Sequence, residues 1–124
     1  MIESPPASQR IIDEVTSWPG VETGTGDRGQ LAFTMGRWEI GRLHGDHEAH
    51  FSFPRELWAH LRRQGRILPH PVLPDAAGPA ARAIESETDV RDVIELLRLN
   101  YDRLVARHGL PAHADRERRP AHAR

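Results

Sequence analysis

Residues 31–54, "LAFTMGRWEIGRLHGDHEAHFSFP", alternate large apolar side chains with small or polar ones at a period of two. That is the spacing at which successive side chains of a strand point to opposite faces of a sheet, and a helix cannot satisfy it. Leu31, Phe33 and Met35 face one side, Gly36-Arg37 makes a tight turn, and Trp38 and Ile40 begin a second strand on the same face. Leu43 falls out of phase after Gly41, which predicts a bulge near Gly41 that swings the following residues outward. His44 lies just beyond it. A third strand places Ala49, Phe51 and Phe53 on the core face and Glu48, His50 and Ser52 on the other, with His47 sharing the parity of the core residues.

Helical spacing flanks this region. Ser4 is placed to cap a helix with Pro5 at its first position and Ile11, Ile12 and Val15 as its apolar stripe, ended by "SWPGV". The stretch "ETGTGDRGQ" holds three glycines and no apolar residue, so it reads as a flexible loop. Pro54 opens a helix through "RELWAHLRRQ" with Leu57, Trp58 and Leu61 inward and Gly65 as its stop. "ILPHPVLPDAAGP" has four prolines and reads as a stiff, extended connector, after which "AARAI" adds a short strand. Ser86 or Thr88 then caps a long helix carrying Val90, Val93, Ile94, Leu97, Tyr101, Leu104 and Val105 at i, i+3, i+4, i+7 spacing, and Gly109 stops it. The expected fold is α+β: an antiparallel meander of three to four strands, an N-terminal helix, and two later helices packed on one face.

A chain of 124 residues allows one domain and a modest core, burying about two-thirds of the unfolded surface. Residues 1–108 are expected to form that single domain. Residues 109–124 are expected to be a disordered, arginine-rich tail, since they mix both charges and lack any apolar period. All 17 basic residues are arginine, so no lysine is available for Schiff-base chemistry, and with no cysteine there is neither a disulfide nor a thiolate. The absence of a basic stripe within residues 17–106 argues against nucleic acid as a partner. The N-terminus resembles no secretory signal and no apolar run approaches the ~20 residues that span a bilayer, so the cytoplasm is the default location and a membrane partner is not expected.

Among unperturbed side chains only histidine changes charge near neutral pH, and the chain has eight. Three crowd into His44–His50 with two acids. As a metal site this turn is poor, because His47 and His50 project from opposite faces and no helical His pair exists; no metal and no cofactor are expected. As an acid–base site it needs one imidazole and an orienting carboxylate, which Asp46 is placed to supply to His44; His70 and Asp75 offer a second pair on the proline-stiffened connector. Arg55, at the start of a helix, is oddly placed for the helix dipole and suits an anionic or enolate ligand instead. Trp38, with Trp18 and Trp58, is a candidate for lining an aromatic pocket, although such residues more often belong to the core.

The ordered series "SWPGVE", "RWEIGRLHGD", "FPRELWAHLRRQGRILPHPVLPD" and "DVIELLRLNYDRL" resembles the luciferase-domain family, small bacterial proteins grouped with the fungal luciferases. The likeness covers about residues 17–106. It implies an α+β domain in which His44, Gly45, Asp46, Pro54, Arg55 and the stretch from His70 to Asp75 match motif positions, whereas His47 and His50 do not. The fungal relatives oxygenate a hydroxypyrone luciferin with molecular oxygen. Where the family usually has a second His and then "PDSGW", this chain has Pro71 and "PDAAGP". The expected function is thus a small-molecule enzyme or binding protein, acting on an aromatic or enolic substrate through His44, Asp46 and His70, with Arg55, Asp75 and Trp38 binding it. A non-catalytic interaction module and a winged nucleic-acid-binding domain are the alternatives. Sequence leaves the oligomeric state open.

Overall fold

The computed structural model describes residues 5–26 and 28–111. Ser4, the expected first cap, and most of the expected tail, residues 112–124, lie outside the described residues. In chain order the elements are α1 (Ala7–Val15), β1 (Val21–Thr25), β2 (Leu31–Met35), β3 (Trp38–His44), β4 (Glu48–Ser52), α2 (Arg55–Arg63), β5 (Leu68–Pro69), β6 (Pro79–Ala83) and α3 (Glu87–His108). One antiparallel sheet joins all six strands in the order β1-β2-β3-β4-β6-β5. The α+β class holds, but the sheet is larger than the expected three to four strands.

Both added strands lie at sheet edges. The glycine-rich segment read as a loop begins within β1, whose Val21–Thr25 pairs with Met35–Leu31. An edge strand needs a backbone ladder on one side only, so it does not require the apolar alternation that marks β2. Leu68 and Pro69, read as connector, pair with Ala81 and Ala80. Two residues flanked by proline are too short to show a period.

The bulge forms where the phase change in β3 put it. Phe33 pairs with Gly41 but Thr34 pairs with Glu39, which leaves Ile40 as the extra residue. Gly41 and Leu43 thereby join Phe33, Ala49 and Phe51 on the helix-covered face, while Arg42 and His44 turn to the other. Ile11 and Val15 of α1, Leu61 of α2, and Val90, Val93, Leu96, Leu97, Tyr101 and Leu104 of α3 fill the core on that covered face. Ser86 is the cap of α3, its hydroxyl accepting from Asp89 N–H at 3.2 Å.

Asn100 ties the long helix to the bulge. Its side chain is 1% exposed, and Nδ2 donates to Ile40 O at 2.9 Å and to Ser52 O at 3.1 Å. Arg103 donates to its Oδ1 at 2.8 Å, so the buried amide is satisfied at both ends.

Gly41 sets how closely the helix approaches. A Cβ there would stand 2.5 Å from Leu97 Cδ2 and 3.2 Å from His50 O. Gly41→Ala should therefore destabilise the fold by roughly 1–3 kcal/mol, the usual cost of overpacking. Urea unfolding would show this as a lower midpoint at unchanged slope; an unaltered midpoint would mean that Leu97 yields freely.

Candidate functional site

The uncovered face of the sheet carries the polar chemistry. Arg42 pairs with His50 and His44 pairs with Glu48, which sets all four side chains on that face and makes the two histidines diagonal neighbours. Gly45, at φ +60°, permits the tight connection between the strands. On the next strand, Ala81 lies opposite both His50 and Leu68. This small side chain leaves room for His70, the first residue after β5, to reach His50.

Three imidazoles consequently meet. The His44 and His50 rings lie 3.9 Å apart between centroids and are tilted by 41°, and the His50 and His70 rings lie 4.4 Å apart, edge to face. They line a cleft of about 360 Å³ together with Arg42, with Arg28 and Gln30 from the β1–β2 connection, and with Val72 and Leu73 beyond His70. Val72 and Leu73 are 69% and 51% exposed and form an apolar lip.

His50 Nε2 lies 2.8 Å from Glu48 Oε1. His44 Nε2, by contrast, is buried and has no hydrogen-bond partner among the described residues. Burial, assisted by the neighbouring His50, holds the His44 and His70 rings below the ordinary histidine pKa. Both rings are therefore neutral at pH 7, and a neutral imidazole can give or accept a hydrogen bond. Among the described residues, no group of three or more His, Asp and Glu side chains is arranged to hold a metal ion.

The other candidates are distributed elsewhere. Asp46 Oδ1 accepts from Ser8 N–H at 2.9 Å, in the first turn of α1. The N-cap of that helix is Pro6, which makes no side-chain cap bond, so a carboxylate 38 residues away supplies the missing acceptor. Among the described residues Asp46 forms no hydrogen bond to His44. Arg55 is exposed in the first turn of α2, and exposed Asp75 lines an adjoining shallow hollow that shares Val72 and Leu73 with the cleft. Trp38 stacks on His108 at 4.0 Å near the end of α3, beneath the Arg37 guanidinium. Of the expected set, His44 and His70 share the cleft. Sequence reasoning passed over His50 and Glu48, although the one-turn hairpin register that pairs residues 44 and 48 would have placed both beside His44.

The model of the Luciferase domain matches residues 37–100, more than half of the 124-residue chain. The chain belongs to the luciferase-domain family. No curated protein and no solved structure matches significantly. The matched span of the luciferase domain runs from the turn before β3 to Asn100 and so includes the bulge and all three cleft histidines. Arg28 and Gln30 are cleft residues outside it.

Two stability predictions follow from the charges. The unfolded chain protonates its histidines near pH 6.5, whereas folded His44 and His70 resist protonation, so their contribution is complete above that pH and is lost as pH falls toward their depressed folded values. The melting temperature should be flat above about pH 7 and fall toward about pH 5, less steeply in the H44Q/H70Q double variant. An equal slope in the two proteins would contradict the burial account. Asp46 behaves oppositely: its bonds to Ser8 hold the carboxyl below the usual carboxylate range, so its contribution is complete at neutral pH and is lost only in acid, as pH falls through the lowered value. Asp46→Ala should lower the melting temperature across the neutral range and leave the slope between about pH 7 and 5 unchanged.

Proposed function

We propose that residues 1–108 of this luciferase-family chain act as one domain that binds a small aromatic or enolic molecule, of pyrone-like type, and exchanges a proton with it in the cleft on the open sheet face. The observation that carries this reading is the contact of His44, His50 and His70 within one cleft, with a buried His44 nitrogen that has no partner among the described residues. An unmet buried polar atom costs about 1–3 kcal/mol, and a ligand oxygen or hydroxyl would satisfy it. Flat imidazole rings and the apolar lip suit a planar ligand with a polar edge. Membership of the family supports the same choice. In this reading His44 and His70 touch the ligand, while Asp46 serves by holding α1. Arg42 replaces Arg55 as the cation beside an anionic oxygen. No helix among the described residues is long and apolar enough to cross a membrane, which accords with a small-molecule protein working in the cytoplasm.

A second reading rests on the exposed Leu68, Val72 and Leu73, which would suit a non-catalytic module that docks a protein on this lip. Ligand binding separates the two. Thermal-shift screening of phenols and pyrones should find compounds that raise the melting temperature, and His44→Ala should weaken their binding at least about tenfold, roughly 1.4 kcal/mol. His60→Ala, on the exposed side of α2, should bind as wild type does. Equal binding by both variants would remove His44 from the site; a screen without hits would favour the docking module.

A further inference from the structure

Two hydrogen bonds decide which nitrogens of His50 and His70 carry protons. A carboxylate only accepts, so the nitrogen of His50 that faces Glu48 Oε1 at 2.8 Å, Nε2, is the protonated one. In the neutral ring, Nδ1 then keeps its lone pair. A backbone N–H only donates, so His70 Nδ1, which receives Val72 N–H at 3.1 Å, must be unprotonated, and the neutral ring carries its hydrogen on Nε2. The two rings lie 4.4 Å apart, and in this assignment His50 Nδ1 is an acceptor and His70 Nε2–H a donor.

Resting on the small-molecule reading above, we propose that His50 is the proton acceptor of the cleft, that Glu48 is its positioning residue, and that His70 is the donor to the ligand oxygen from which the proton leaves. The step balances within the site. The ligand O–H bond breaks, an Nδ1–H bond forms on His50, and the electron pair stays on the ligand oxygen. The Glu48 carboxylate compensates the imidazolium, and the His70 Nε2–H compensates the oxyanion.

The three rings differ in their fitness for this task. A second proton on His70 would have to enter at Nδ1 and would sever the bond to Val72, so His70 is unsuited to be the base. Among the described residues His44 has no hydrogen-bonded carboxylate, and desolvation opposes its charging. Of the three rings, only His50 has a carboxylate among the described residues in place before the proton arrives, as effective general bases do. The titratable groups around it are Glu48 from its own strand, His44 from β3 and His70 from the segment after β5, with Arg42 opposite in register. Arg42 is tied to Glu39 at 2.9 Å, which offsets its repulsion of an incoming positive charge.

The test joins a structural readout to a chemical one. Long-range proton–nitrogen NMR of the 15N-labelled full chain should show both His50 and His70 with hydrogen on Nε2 and bare Nδ1. 4-Nitrophenol serves as the chemical probe, since its phenolate is coloured and its ionisation on the protein can be followed directly. Bound to the wild type, it should ionise at a lower pH than it does free in solution. Glu48→Ala should still bind it but should scramble the His50 tautomer and weaken the bound phenol's acidity about tenfold, one pH unit. Glu48→Gln, whose amide oxygen still accepts from Nε2–H, should preserve the tautomer and yet lose the acidity, because the balancing charge is gone. Hydrogen on His50 Nδ1, hydrogen on His70 Nδ1, or unaltered phenol acidity in the Glu48 variants would each overturn the assignment. If wild type binds no nitrophenol while both tautomers are as stated, the small-molecule reading itself fails and the roles fall with it.

Discussion

The geometry of the cleft depends on one buried amide. Asn100 Nδ2 holds the carbonyl of Ile40, the extra residue in β3, and the carbonyl of Ser52 at the end of β4. A bulge shifts the phase of everything after it by one residue, and a one-residue shift exchanges the two faces of a strand. Without it, Arg42 and His44 would point toward the helices and Leu43 toward water. The buried amide therefore stabilises the strand conformation that brings a histidine of β3 to the same side as a histidine of β4.

Burial keeps charge off two of the three rings. Three imidazoles in ring contact would repel one another if all were charged, and burial already disfavours charge on His44 and His70. Among the described residues only His50 of the three has an acid in hydrogen-bond contact. The result is an asymmetric cluster of chemically identical side chains, in which neighbouring backbone and carboxylate groups, not residue type, distinguish one ring from the next.

Much of the scaffold was legible because it rests on periodicity. The alternation from Leu31 to Phe53, the misplaced phase of Leu43 and the long stripe of α3 each follow from burial on one face, and each appears where expected. What escaped was whatever rests on pairing. Val21–Thr25 becomes a strand because β2 offers it a ladder, and Leu68-Pro69 because β6 does. The site divided in the same way. His44 and His70 were found from residue type and motif position, but Asp46 was paired with its neighbour in sequence when its partner is Ser8, and His50 was judged against His47 within its own strand instead of against His44 across the turn.

The bond between Asp46 and Ser8 bears on the order in which the chain assembles. A nine-residue helix whose local cap residue is proline has little stability by itself. The β3–β4 hairpin, in contrast, closes a short loop through Gly45 and needs no distant partner to begin. The acceptor that completes the first turn of α1 does not exist until that hairpin has turned, so a helix that precedes the hairpin in the chain is completed only after it. Amide exchange in α1 is thereby coupled to opening of a turn made much later in the chain, and the amino-terminal helix reports on the integrity of the histidine hairpin from the far side of the sequence.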